Sequence, residues 1–393
     1  MSRAPMVPLE DLMAARQGSV DPAKFVDETF ELYSIPAFDS CRPEVVTGGE
    51  IGSTKQLVRP QDVLLSKIVP HIRRSWIVGA AGEYRQIASG EWIVFRSEKV
   101  VPEYLRHALL CDDFHAQFMQ TVSGVGGSLL RARPAQVAKI EVPLPRIAEQ
   151  RRIADILDKA DALRIKRREA LAQLDRLAQS ILVEMFGDPS SSRLAFDAVP
   201  LIDLAQGGFQ NGAYFPKEMY SVDGIEMVHM SDAFGGVVER GDLRRVACSD
   251  EEVAKYELHE TDLLIARRSL TYEGAAKPCR IPASSERLIF ESSFIRIRPD
   301  LSKVSNVFLF HYLNSERVRE KHVRPYVTQS TISGINQSNL ARVPVMLPPI
   351  ALQRKFERAM ASLGEIAQVH ERSSTVMNEL FAALQDRAFQ GRL

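Results

Sequence analysis

Excess charge of either sign is missing from this sequence: Lys and Arg total 50, and Asp and Glu total 50, over 393 residues. Phosphate binding is driven by positive charge, so the bulk balance argues for no nucleic-acid partner, and any such contact has to come from local patches. Long hydrophobic runs are missing too. No stretch reaches the roughly 18 apolar residues that a membrane-spanning helix needs. The opening segment MSRAPMVPLEDLMAARQ carries acids and lacks the apolar core of a secretory signal, so a cytoplasmic location is expected. Cysteine is scarce. Cys41, Cys111, Cys248 and Cys279 lie far apart with no CxxC spacing, which argues against a zinc site or a disulfide framework. Catalytic motifs are absent as well: no HExxH, no GxSxG and no Walker sequence occurs. The glycines of GGEIG (48–52) lack both the following Lys-Ser/Thr and the full GxGxxG spacing, so they read as a turn. A DNA adenine methyltransferase would need an Asp/Asn-Pro-Pro-Tyr/Phe motif and a glycine-rich cofactor loop, and neither is found. The expectation is a non-enzyme with no cofactor and no metal.

What is present is a repeat. LPRIAEQRRI (144–153) returns as LPPIALQRKF (347–356). At a shift of 203, Leu144, Pro145, Ile147, Ala148, Gln150 and Arg151 fall on Leu347, Pro348, Ile350, Ala351, Gln353 and Arg354. Upstream, GSLLRARPAQV (127–137) falls on STISGINQSNL (330–340), YLRHALL (104–110) on FLFHYLN (308–314), and QDVLLSK (61–67) on TDLLIAR (261–267). Blocks matching in the same order mark an internal duplication. Each copy has a mixed region followed by a long helical pattern. DVLLSKIV, EWIVFR, DLLIARRS and SSFIRIRP read as short strands bounded by charge and turn residues.

After each Pro comes a stretch of about 40 residues with no internal Pro, which a helix would extend to roughly 60 Å. Apolar residues recur three and four apart: Ile153, Ile156, Ala160, Leu163, Leu174, Leu177 and Ile181 in the first, Phe356, Ala359, Leu363, Ile366, Met377, Leu380 and Leu384 in the second. This spacing reads as a coiled-coil seam. Polar breaks fall at Arg167 and Ala170 in one and at His370 and Ser373 in the other, where they would set register or carry their polar ends to solvent. Gly187 with Pro189, and Gly391, mark the helix ends. The pattern predicts an α+β protein: two mixed α/β domains (1–145 and 191–346) alternating with two helical spacers (146–190 and 347–393). A duplicated unit closes most simply by pseudo-two-fold symmetry, with the helices paired as an antiparallel coiled coil.

The paired helical segments, 142–189 and 347–393, together with PEVVTGGEIGSTKQLVRPQDVLLSKIVPHIRR (43–74), resemble the specificity subunit of type I restriction-modification systems. The resemblance covers nearly the whole chain. It implies two target-recognition domains, each reading one half of a bipartite DNA sequence, held apart by the helices. It further implies docking of two methyltransferase subunits and, through them, of the restriction and translocation subunits. The second helix departs from the first at Pro349 for Arg146 and Leu352 for Glu149, both acceptable within the pattern. Base reading uses Arg, Lys, amide and hydroxyl side chains. The candidates in the first domain are Lys67, His71, Arg73, Arg74, Ser128 and Arg131. Those in the second are Arg267, Arg268, Tyr272, Gln329, Thr331 and Asn336, at matching places. Basic residues at strand ends also occur simply because they face water. Two other readings stay open: a specificity subunit whose partner fuses methyltransferase and nuclease, and a coiled-coil scaffold that never touches DNA.

Overall fold

The computed structural model describes residues 4–15, 18–124, 130–191, 193–233, 236–329 and 332–393. The chain forms two compact units, Met1–Glu169 with Arg372–Leu393, and Ala170–Glu371.

In the first unit, Val63–Ser66 is a fully buried strand flanked by Ser75–Ile77 and Trp92–Phe95, all antiparallel. A mixed five-stranded sheet lies in the same unit, in the order Ser19–Val20, Lys55–Leu57, Arg85–Ala88, Thr29–Tyr33, Glu44–Thr47. The GGEIG segment is a turn of 3-10 helix, Gly48–Glu50, closed by a 2.7 Å bond from Thr47 Oγ1 to Glu50. Its first glycine is required by space, since a Cβ on Gly48 would stand 2.1 Å from the carbonyl oxygen of Phe25. The turn is therefore packed on backbone and leaves no cradle for a phosphate at Gly48.

In the second unit, the equivalent strand Leu263–Ala266 is again fully buried. It belongs to a four-stranded antiparallel sheet in the order Ala205–Asn211, Phe294–Pro299, Leu263–Ala266, Pro278–Arg280. Both central strands begin with a buried acid held bidentately by an arginine. Asp62 accepts from Arg96 at 2.6 and 2.5 Å and from the Arg59 N–H at 2.8 Å. Asp262 accepts from Arg298 twice at 2.8 Å and from the His259 N–H at 2.9 Å. A buried carboxylate is tolerated only when so paired.

The long helices run Ile147–Phe186 and Ile350–Phe389, 40 residues each. Gly187 and Gly391 follow them at φ +81° and +71°, the left-handed conformation that ends helices with little strain only at glycine. In the first unit, Ile153, Ala154 and Leu157 of the first helix share a core with Phe381 and Ala388 of the second. In the second unit, Ala178, Leu182 and Phe186 share a core with Phe356 and Met360. Within each unit the start of one helix meets the end of the other.

The buried stripe differs in detail from the apolar spacing. Leu163, Leu177, Ile366 and Leu380, which spacing placed on the seam, are 54, 45, 47 and 55% exposed. The stripe instead keeps a strict three-four alternation through Leu157, Ala160, Arg164, Arg167, Leu171, Leu174 and Ala178. In the second helix it runs through Met360, Leu363, Ala367, His370, Ser374, Met377 and Phe381. Geometry, not residue type, fixes which positions face inward. Arg164 is accommodated because it bonds Asn378 at 2.8 Å and Asp161 at 3.1 Å, and lies 4.3 Å over the Phe381 ring.

The repeated entrance has a structural purpose at its glutamine. Gln150 Oε1 accepts the Val101 N–H at 2.7 Å, and its Nε2 donates to the carbonyls of Lys99 at 3.1 Å and Pro145 at 2.8 Å. Gln353 does the same with Ser305 N–H at 2.8 Å, Lys303 at 3.3 Å and Pro348 at 2.7 Å. Both side chains are fully buried. Each ties the first turn of a long helix to the loop ahead of a domain helix, Pro102–Leu110 or Asn306–Asn314.

Candidate nucleic-acid interface

Each buried central strand passes its chain into a narrow ribbon. In the first unit, the Lys67 N–H donates to the Glu91 carbonyl at 3.0 Å, and the Lys67 carbonyl accepts from Ala132 at 2.8 Å. Ile68 bridges Arg131, and the Val69 N–H donates to Leu130 at 3.0 Å. Val69 sits at φ +49°, a rare place for a β-branched residue. In the second unit, Arg267 N–H donates to Ser293 at 2.7 Å and its carbonyl accepts from Ile335 at 3.0 Å. Arg268 and Ser269 then pair with Gly334 and Ser333. The pairings of Lys67 with Ala132 and of Ile68 with Arg131 match those of Arg267 with Ile335 and of Arg268 with Gly334 at the shifts found in the sequence.

The ribbons bring together Lys67 with Arg131, and Arg267 with Arg268 and the segment before Asn336. The remaining sequence candidates sit as follows. His71 and Arg73 are exposed on the segment after the first ribbon. Arg73 donates to the Leu110 carbonyl at 3.0 Å and pairs with Asp112 at 2.6 Å. Arg74 is largely buried, its side chain 11% exposed, with Nε 3.6 Å from Asp39. Arg131 is held by Glu91 at 3.2 Å. Tyr272 is partly buried and donates to the Arg324 carbonyl at 3.1 Å, while the Arg324 guanidinium stands 5.7 Å from its ring. Gln329 is exposed. Asn336 is exposed but already employed: its Oδ1 caps the helix Gln337–Ala341 by accepting the Asn339 N–H at 2.8 Å. Ser128 and Thr331 lie outside the described residues.

Sequence reasoning missed Arg319. Its side chain is buried without a carboxylate and donates instead to the carbonyls of Glu273 at 2.6 Å, Ala275 at 2.9 Å and Ala276 at 3.0 Å. Burial pulls its pKa below the ordinary arginine value. It grips the loop that follows Arg268 and Tyr272, where Ala276 is turned to φ +60°. Nothing in a helix sequence ERVREKH distinguishes this arginine from its exposed neighbours. Leu270, 87% exposed in the same loop, carried a readable signal: a large apolar residue inside an otherwise polar turn.

Chemically, the ribbons present cations and hydrogen-bonding groups at strand ends. Among the described residues, no group of three or more His, Cys, Asp and Glu side chains is placed to hold a metal ion, and no helix is long and apolar enough to cross a membrane.

A family model for the type I restriction modification DNA specificity domain matches residues 79–176. The chain is 23% identical over 314 residues to the StySPI specificity subunit of a type I restriction enzyme from Salmonella potsdam, covering 76% of this chain and 67% of that subunit. It is 24% identical over 291 residues to the EcoKI specificity subunit from Escherichia coli (strain K12), covering 68% and 61%. The matched stretches thus take in about two thirds of those subunits' lengths. Among solved structures, a chain from a study of complex assembly and conformational transition of the type I R-M system superposes with a TM-score of 0.53 at 19% identity, covering 100% of this chain and 98% of that one. The type I restriction-modification S subunit from M. genitalium superposes with a TM-score of 0.51 at 11% identity, covering 98% and 96%. At such identities the likeness is one of fold. Sequence matches and fold together make the chain similar to the specificity subunits of type I restriction-modification systems.

Proposed function

We propose that the chain reads a bipartite, asymmetric double-stranded DNA sequence and has no chemistry of its own. Residues 1–145 read one half and residues 191–346 the other. The helical segments 146–190 and 347–393 pair as an antiparallel coiled coil related by a pseudo-two-fold axis, and set the unread gap. Two methyltransferase subunits dock on the helices and adjacent surfaces and bring in the restriction and translocation subunits, in the cytoplasm. Lys67, His71, Arg73, Arg74, Ser128, Arg131, Arg267, Arg268, Tyr272, Gln329, Thr331 and Asn336 are the candidate DNA contacts.

One observation carries this reading. The same ribbon follows the same buried strand in both units, with unlike residues on it: Lys67 and Ile68 in one, Arg267 and Arg268 in the other. A duplicated scaffold that keeps its frame and varies its exposed ends suits one chain reading two different half-sites. A rigid frame that fixes half-site spacing is the usual geometry of bipartite readers. The test is a methylation map of the host genome with and without the gene. Loss of adenine methylation from one gapped motif with unequal halves is expected. An unchanged map in a host whose methyltransferase is expressed would sink the reading.

A further inference from the structure

We propose that Leu270, at the open end of the second unit's ribbon, is an apolar base-contacting tip, touching base edges or steps in a groove of the DNA rather than its phosphates. This rests on the DNA-reading function above and specifies what one of its contacts is. Arg268 pairs with Gly334 and Ser269 with Ser333, so Leu270 and Ile332 are the residues that follow and precede the last pair of the ladder. Leu270 is 87% exposed and Ile332 49%.

Exposure alone would mean little, because single surface leucines are ordinary. Here the backbone that carries the side chain is held from several directions. The Thr271 N–H donates to Ser269 Oγ at 3.2 Å, and the Gly274 N–H donates to Thr271 Oγ1 at 3.1 Å. Tyr272 is tied to Arg324, and the fully buried Arg319 grips the carbonyls of Glu273, Ala275 and Ala276. Gly274 approaches so closely that a Cβ there would stand 2.1 Å from Ser269 Oγ. These ties hold the loop on the C-terminal side of Leu270 and leave its side chain presented to solvent. The ordering entropy is spent before any partner arrives, which favours affinity.

The surroundings select the partner. Between 267 and 277 lie Arg267, Arg268 and Lys277 against the single acid Glu273. An apolar point carried on a basic segment is matched by a polyanion whose interior is apolar: cations meet phosphates while the leucine meets a thymine methyl or enters a base step. In the first unit the register position equivalent to Leu270 is Pro70, which is buried. The tip therefore belongs to one half of the target only.

The experiment uses the full chain, purified as the complex its host assembles, with a pool of randomised DNA duplexes sequenced after binding. The wild type is expected to enrich a gapped motif. Leu270→Ala is expected to keep that motif, to lose base preference at one or two adjacent positions of one half, and to bind about tenfold more weakly. Its slope of log affinity against log salt should equal the wild type's, because no phosphate contact is removed. Its thermal midpoint should not move, since the side chain is 87% exposed. If Leu270→Ala enriches an identical motif with unchanged affinity, the tip is overturned and DNA reading stands. If it weakens all sequences equally and flattens the salt slope, the tip is overturned too, because the residue then acts on phosphate contacts. If the wild type enriches nothing, DNA reading fails and the tip with it.

Discussion

At the scale of single residues, some of the buried side chains that hold the fold are polar ones whose partners are backbone groups. Gln150 and Gln353 each satisfy one N–H and two carbonyls at the root of a long helix. Removing such a group leaves buried backbone atoms unpaired, at about 1–3 kcal/mol each. Gln353→Leu is therefore expected to cost about 2–4 kcal/mol, read as a lower urea midpoint. Gln353→Glu discriminates further. A carboxylate still accepts from Ser305 but cannot donate to Lys303 and Pro348, so it should destabilise at least as much as Leu. A Gln353→Glu protein as stable as the wild type would mean that the amide's two donated bonds are dispensable. The motif LPxIAxQR was plain in the sequence because it recurs, but its reason was not. Periodicity shows that a glutamine sits at a repeated place, and only the fold shows the carbonyls converging on it. Arg319 shows the converse, since it has no repeat partner at its place and its burial follows from a loop some 45 residues away in sequence.

At the scale of elements, strands and helices were more legible than faces. DVLLSKIV, EWIVFR, DLLIARRS and SSFIRIRP each contain a strand, and both long helical patterns are helices closed by glycine. The inward face was less legible, because apolar type and position disagree. Leu163 lies beside the inward Arg164, and Leu177 beside the inward Ala178. A leucine attracts the eye, while the backbone's 3.5-residue repeat selects its neighbour. This separates two expectations. Leu177→Gln and Leu380→Gln should alter stability by no more than about 0.5 kcal/mol, as surface changes do. Leu182→Ala, at a fully buried position, should cost about 2–5 kcal/mol. Thermal midpoints of the three variants decide the matter. A large loss from Leu177→Gln would restore the simpler apolar seam.

At the scale of the whole molecule, zero net charge gives no long-range pull toward DNA, so the proposed reading has to rest on local contacts, one set in each unit. Each unit has its own hydrophobic core, built from its own strands and from one end of each helix. Sites that share no partners contribute additively. Lys67→Ala is therefore expected to disturb one half of the bound motif and Arg268→Ala the other, with the double variant losing the sum of the two free energies. If either lysine or arginine serves a phosphate, its removal also lowers the salt slope by about 0.9 and leaves base preference intact. If it serves a base, the slope holds and the preference at one position relaxes. Binding of the three variants to a duplex carrying the enriched motif, measured across a salt series, distinguishes these. A single substitution that degraded both halves at once would contradict independent reading heads. It would mean that the two ribbons act on one continuous stretch of DNA, and the duplication would then serve symmetry rather than the joining of two different half-sites.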